Sequence, residues 1–360
     1  MNRLSRQRHP RQSHRDFPAL TVQARPGIGD MVWFLPALRA VARAEGATAQ
    51  RPMPILTKMP LGAASLFEED PFRFIPMPRR FWGRSAPARL AWCTARFGMM
   101  RSLQRLYVMH DSPWYALAGR WAGVPQRFGL FSTGRPHAAL TVGLAMPKGP
   151  EIDEMLALPV QSQNLVRRLG IPIDESVPRL RIKPARREQI AQRLADMPRP
   201  WIIFGIAASE DWKIWPPEHF AALADALMPR QGTIFLLSGP DGVERAGRIK
   251  AQSSHPHLVA INDWALPDSA ALIESADLFI GNDTGPANIA AALDRPSLVL
   301  FGKTLSFSML YGKHVRSLYA TDADKSMVSI SPAHVLAELE SLIHGKGAFL
   351  TPHFDANKAR

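Results

Sequence analysis

The stretch Ile280-Gly281-Asn282-Asp283-Thr284-Gly285-Pro286-Ala287-Asn288-Ile289-Ala290 reads as the end of a buried strand, a polar turn and the start of a helix. Pro286 stands where a first helical residue is favoured, since its fixed φ suits the helix and its missing N–H is not needed there. The backbone N–H groups around Thr284, Gly285 and Ala287, with a helix dipole behind them, make an anion site suited to a diphosphate. Asp283 adds an acceptor for sugar or ribose hydroxyls. The plainer role for Asp283 or Thr284 is a helix N-cap.

The same alternation repeats on both sides of this turn. Apolar runs at Trp201 to Ile206, Thr233 to Ser238, Leu258 to Ile261, Leu278 to Ile280 and Ser297 to Phe301 alternate with helical patterns at 217–228, 241–252, 267–275 and 286–293. Short buried strands separated by helices predict a parallel sheet covered on both faces. A similar unit opens the chain: the run from Leu20 to Ala24, the turn Pro26-Gly27-Ile28-Gly29-Asp30, then Val32, Leu35, Leu38, Val41 and Ala42 at helical spacing. Pro36 is expected to kink or restart that helix. Between 50 and 150 only Leu106 to Met109 stands out as a strand, and the proline-bounded stretch from Ser176 to Pro184 reads as a linker. The predicted class is α/β, two Rossmann-like domains whose parallel sheets face a cleft. The expected boundaries are a basic tail 1–15, an N-terminal domain 16–178, a C-terminal domain 179–330, a closing helix 331–345 and a tail 346–360.

With 360 residues, 46% of them apolar and 21% charged, the chain is too long for a lone binding module and too apolar for a disordered one. Its net charge is +13, from 44 Lys plus Arg against 31 Asp plus Glu. That excess is not spread evenly. Arg3, Arg6, Arg8, Arg11 and Arg15 fill the first fifteen residues, and Arg73, Arg79, Arg80, Arg84, Arg89, Arg96, Arg101 and Arg105 fill 72–110, neither segment containing an acid. These thirteen arginines account for the whole excess, and the rest of the chain is neutral. Phe72, Phe74, Phe81, Trp82, Trp92 and Phe97 interleave with the second set, a pattern suited to an anionic membrane surface or to a solvated helix with core aromatics. Cys93 is the only cysteine, so a reducing compartment is expected, and no apolar run is long enough to span a bilayer.

Strand-to-helix loops are where open α/β sheets gather ligands. Besides the opening stretch, the loop Ala207-Ala208-Ser209-Glu210-Asp211-Trp212-Lys213-Ile214-Trp215-Pro216 offers the Ser209 hydroxyl and the compact charge of Lys213 for a departing phosphate. Gly27 and Gly29 allow a sharp turn that presents Asp30 at a helix start, as a general base or as a cap. Several other chemistries fail on spacing. The dinucleotide fingerprint would need glycine at Val32, a Walker A motif ending at Gly302-Lys303-Thr304 would need it at Ser297, and no G-x-S-x-G elbow occurs. Asp322-Ala323-Asp324 has the spacing of a metal pair but reads as exposed acids, and the 11 histidines show no ligand spacing. No metal and no cofactor are expected.

Together the loops resemble glycosyltransferase family 9, the bacterial ADP-heptose:lipopolysaccharide heptosyltransferases. The matching pieces are Gly27-Ile28-Gly29-Asp30 with Leu35-Pro36-Ala37-Leu38-Arg39, then Lys213-Ile214-Trp215-Pro216-Pro217-Glu218-His219-Phe220. The last is Gly281 to Leu293, continuing through Arg295-Pro296 to Leu300-Phe301-Gly302. The resemblance implies a GT-B fold, with the acceptor mainly on the N-terminal domain and the nucleotide sugar on the C-terminal one. It implies that Asp30 is the catalytic base, that Lys213 faces the donor phosphates beside Ser209, and that Asp283, Thr284 and Gly285 hold the donor's sugar and diphosphate. Ser326-Met327-Val328-Ser329-Ile330-Ser331-Pro332 resembles the family's closing segment. Phe204-Gly205-Ile206-Ala207-Ala208-Ser209 replaces a His-Pro-Gly-Ala-Ser-like run, and Asn288 stands where a histidine is usual. The function implied is inverting transfer of a heptose from an ADP-linked donor to a lipid-linked lipopolysaccharide core acceptor; the arginine-aromatic segment adds the expectation of docking at the anionic cytoplasmic face of the inner membrane, with no nucleic-acid partner. The alternatives are a basic nucleic-acid-binding protein, a nucleotide-sugar epimerase or hydrolase of the same fold, and a non-catalytic relative.

Overall fold

The computed structural model describes residues 17–81, 86–132, 138–147, 154–304 and 314–344. The tails expected at 1–15 and 346–360 lie outside these residues, as do Trp82 and Arg84.

The elements in chain order are β1 (Ala19–Gln23), α1 (Ile28–Ala44), β2 (Met53–Thr57), β3 (Phe72–Pro76), α2 (Ala86–Gly98), β4 (Arg105–Val108), α3 (Pro113–Trp121), β5 (Gln126–Phe131), β6 (Val142–Ala145) and α4 (Glu154–Arg168). There follow α5 (Pro184–Arg193), β7 (Trp201–Gly205), α6 (Pro217–Leu227), β8 (Thr233–Leu237), α7 (Val243–Gln252), β9 (Leu258–Ile261) and α8 (Leu266–Ser275). The chain ends its described part with β10 (Leu278–Asn282), α9 (Gly285–Ala292), β11 (Ser297–Phe301), β12 (Val315–Tyr319) and α10 (Pro332–His344). The five strands predicted from 201 onward are all present with ends shifted by at most two residues, and a helix stands at each expected position.

Two compact units result. One comprises residues up to Pro26 with Pro36–Leu61 and Asp70–Ser176; the other comprises Gly27–Leu35, Gly62–Glu69 and the chain from Val177 onward. The first holds a six-stranded sheet in the order β3-β2-β1-β4-β5-β6, the second a six-stranded sheet in the order β12-β11-β10-β7-β8-β9, and the strand pairs are parallel. Counted within each unit, both orders are 3-2-1-4-5-6, the doubly wound arrangement. Its switch points lie between β1 and β4 and between β7 and β10, the places where such sheets bind ligands outside the carboxyl ends of the strands.

The β7 and β8 runs WIIFG and TIFLL are buried at every position, as strands covered on both faces must be. Phe204 is among them, packed 5.5 Å from the Phe220 ring, so this departure from the family pattern fills core. Gly281 meets Gly205 on the adjacent strand, where a Cβ would lie 2.7 Å from the Gly205 Cα and carbonyl oxygen. Only glycine permits that approach.

The helix is not restarted at Pro36. α1 runs through Pro36 as one element, held by the burial of Met31, Val32, Phe34, Leu35, Ala37 and Leu38 around it; tertiary packing outweighs the lost backbone hydrogen bond. Several aromatics of the arginine segment pack inward. Phe97 is core, and Phe81 stacks on Trp92 at 5.5 Å against the same core. Arg105 is structural as well, its Nε and Nη2 each 2.6 Å from the buried carboxylate of Glu45, which also accepts from the Tyr107 hydroxyl at 2.7 Å.

Candidate active site

The predicted anion loop sits at the second switch point. β10 ends at Asn282 and α9 begins at Gly285, with Thr284 in extended backbone at the N-cap position. Among the described residues no side chain caps the helix there, and the Thr284 hydroxyl points back to the Asn282 carbonyl at 3.3 Å. Among the described residues no side chain accepts from the first N–H groups of α9, an arrangement suited to an anion.

Asp283 is not the cap either. Its Oδ2 accepts from Thr304 Oγ1 at 2.9 Å and lies 3.8 Å from Lys213 Nζ. Burial pushes its carboxyl above the usual value, while Lys213 and the Thr304 hydroxyl pull it back. Lys213 ends a short helical turn after β7, its ammonium 5.1 Å from the Trp212 ring centre. Trp215 anchors this loop: its backbone N–H donates to Asn282 Oδ1 at 2.9 Å and its indole N–H to the Ile330 carbonyl at 2.7 Å. Ile330 belongs to the closing segment at 326–332. Ser209 is exposed in the same loop, and no described hydrogen bond ties it to Lys213 or Asp283.

Gly27–Leu35, carrying Asp30, belongs to this same unit. Asp30 is the third residue of α1, and its Oδ2 accepts the Gly27 N–H at 2.9 Å, the returning half of a capping box. One turn on, the Trp33 indole donates to Asn288 Oδ1 at 2.7 Å, while Asn288 Nδ2 donates to the Thr284 carbonyl at 3.0 Å. Gly29 lies against that amide, since a Cβ there would stand 2.8 Å from Asn288 Nδ2. The first turns of α1 and α9 are thus joined through Asn288.

Gly27, Gly29, Asp30, Lys213, Asp283, Thr284 and Gly285 all fall in the turns and first helical residues that follow the carboxyl ends of strands. Asp283 and Lys213 make direct contact, and the Gly29 and Thr284 backbones meet across Asn288. Trp33, Asn282, Trp215 and Thr304 went unread in the sequence because their roles depend on partners 21 to 255 residues away. Among the described residues no group of three or more His, Cys, Asp or Glu side chains is arranged to hold a metal ion.

The strand order and the uncapped helix start at a switch point define a doubly wound α/β protein of paired Rossmann-type units, equipped to meet an anionic ligand. The sequence profile of glycosyltransferase family 9 (heptosyltransferase) matches residues 101–326, and the chain belongs to that family. A lipopolysaccharide heptosyltransferase 3 of Escherichia coli is 36% identical over 107 residues, covering 29% of this chain and 32% of that protein. The match therefore spans about a third of that relative's length. The solved structure of E. coli ADP-heptose lps heptosyltransferase II aligns with a TM-score of 0.66 at 21% identity, covering 90% of this chain and 97% of that one. E. coli heptosyltransferase WaaC with ADP-2-deoxy-2-fluoro heptose aligns at 0.63 and 20% identity, covering 90% and 99%. At these identities the structures establish a shared fold.

Proposed function

We propose that the protein transfers a sugar with inversion from a nucleoside-diphosphate donor, ADP-heptose, to a lipid-linked lipopolysaccharide core saccharide. The observation that carries this reading is the uncapped amino terminus of α9 beside the Asp283–Lys213 pair, joined through Asn288 to the turn that bears Asp30. Family membership and the ADP-heptose analogue bound by a structural neighbour support the choice of donor.

In this reaction Asp30 takes the proton of an acceptor hydroxyl. The oxygen attacks the anomeric carbon, a new glycosidic bond forms, and the bond to the diphosphate breaks on the opposite face. The leaving diphosphate takes the bonding pair, and its growing charge is met by Lys213 and the N–H groups of α9, already oriented before the reaction begins. Asp283, Thr284 and Gly285 hold the donor's sugar and diphosphate, with Ser209 at the rim of the loop. The mechanism draws on no metal. The chain's arginine excess favours work at an anionic membrane surface, where a lipid-linked acceptor is presented.

A thermal-shift series with ADP-heptose, other nucleotide sugars, ADP and unrelated nucleic acid tests the reading. A rise in melting temperature specific to ADP-linked sugar is the expected result. Stabilisation by nucleic acid alone overturns it.

A further inference from the structure

The carboxyl edge of the first sheet holds charged groups that the proposed reaction does not use. β2, β1 and β4 are neighbours, and their ends place Lys58 directly after β2, Arg25 two residues after β1 and His110 two residues after β4. The registers Gln23↔Thr57 and Val22↔Val108 make these positions adjacent along the edge. β1 and β4 also flank the first switch point, the ligand position of this sheet type. Arg89 on α2 joins the group: burial first, and then the charges of Arg89 and Arg25, disfavour the charged form of Lys58, and after burial Arg25 and Lys58 act in the same way on His110. Among the described residues no carboxylate pairs with Arg25, Lys58 or Arg89. Asp111, the single acid between residues 71 and 150, is engaged by the Ser132 hydroxyl at 2.6 Å and lies 3.2 Å from His110 Nδ1.

Two further observations point to a ligand. Gln23 is fully buried at the end of β1; its Oε1 accepts from Thr57 Oγ1 at 3.3 Å, and its Nε2 has no partner. A buried donor without an acceptor is costly unless something else supplies one. The amino terminus of α3 opens beside His110, whose Nδ1 accepts the Ser112 N–H at 3.0 Å, and the Ser112 side chain forms no cap. An accepting Nδ1 leaves the ring proton on Nε2 and the imidazole neutral. Burial and the charges of Arg25 and Lys58 favour that state, Asp111 opposes it, and the remaining neighbour is the Tyr115 ring at 5.6 Å.

We propose that Arg25, Lys58, Arg89 and His110 form a subsite for one oxyanion, a phosphate monoester or a carboxylate. Clustered cations repel one another, Asp111 beside His110 offsets that repulsion only in part, and an oxyanion reduces it further while accepting several charge-assisted hydrogen bonds. The subsite deepens the acceptor reading above and rests on it in one respect only: the oxyanion is then an acidic substituent of the acceptor saccharide.

The test is proton NMR of the His110 imidazole in the full-length chain, its resonance assigned by its loss in His110→Gln. pH titrations are run at constant ionic strength without added ligand, with inorganic phosphate and with acetate. Either anion is expected to move the His110 midpoint to higher pH, because a bound anion favours the imidazolium. A phosphate response assigns a phosphate ester and an acetate response a carboxylate. Lys58→Met and Arg25→Met, each checked for an unchanged melt, are expected to weaken the response roughly tenfold or more. Lys213→Met, at the other sheet, is expected to retain it, so failure of the donor reading leaves this result standing. A wild-type His110 midpoint that neither anion moves overturns the proposal, as do folded Lys58 and Arg25 variants that respond like wild type.

Discussion

Asparagine keeps an acceptor oxygen where Asp30 receives the Gly27 N–H at 2.9 Å, and alanine does not. Asp30→Asn is therefore expected to melt within a degree or two of wild type, whereas Asp30→Ala loses the return bond of the capping box and about 1 kcal/mol. Calorimetry of both variants separates the structural role of this carboxylate from its proposed chemical one. Lys213→Met acts through Asp283, whose carboxyl already lies above its ordinary value because of burial. Removing the ammonium 3.8 Å away takes support from the ionised form and moves its titration to still higher pH. A carboxyl raised in the folded state costs stability as pH rises through the interval between its unfolded and folded values. The variant is accordingly expected to lose more stability than wild type as pH climbs above about 4, read from unfolding midpoints across that range. Equal pH dependence in the two proteins would show that Lys213 does not support Asp283.

At the scale of elements, β7 and β10 pair so closely at Gly205 and Gly281 that a methyl group at 281 has nowhere to go, the atoms 2.7 Å from it being backbone. Gly281→Ala is expected to cost about 1–3 kcal/mol or more by overpacking. Gly247, inside α7, is the contrasting case: a Cβ there would meet nothing within 4 Å, and Gly247→Ala is expected to gain about 0.5–1 kcal/mol. Denaturant midpoints of the pair check both signs. Arg105→Met would leave the Glu45 carboxylate with the Tyr107 hydroxyl as its described donor, with an expected loss of about 1–3 kcal/mol. These elements also mark what the sequence made legible. The strands from Trp201 onward are continuous apolar runs bounded by turn residues, and each was readable by itself. β3, with the sequence FRFIP, and β5, with QRFGLF, carry arginines and are only partly buried, so neither the alternating nor the fully apolar pattern marks them. Loop residues with local chemistry, Asp30, Lys213 and the stretch from Asp283 to Gly285, were legible. Asn288 stood out only as a departure from the family pattern; its bond to Trp33, and the cluster at Lys58 and His110, were not legible, because only the fold brings such distant positions together.

For the whole molecule, the charge that at first suggested nucleic acid separates from the candidate chemistry. The thirteen arginines of 1–15 and 72–110 carry the entire +13 excess, while the Asp30 turn and the two loops of the second unit lie in neutral sequence. Among the described residues no helix is long and apolar enough to cross a membrane. Binding to vesicles is thus expected to need anionic lipid and to fall when Arg79 and Arg80, both exposed, are neutralised; co-sedimentation that ignores lipid charge would remove the membrane from the account. The central claim is transfer from ADP-heptose with Asp30 as base, and the rate of heptose transfer to a lipid-linked core acceptor by wild type and Asp30→Asn tests it most directly. The account requires measurable transfer by wild type and a loss of roughly 10²- to 10⁴-fold in the variant, with the fold intact. Near-normal transfer by folded Asp30→Asn would contradict it.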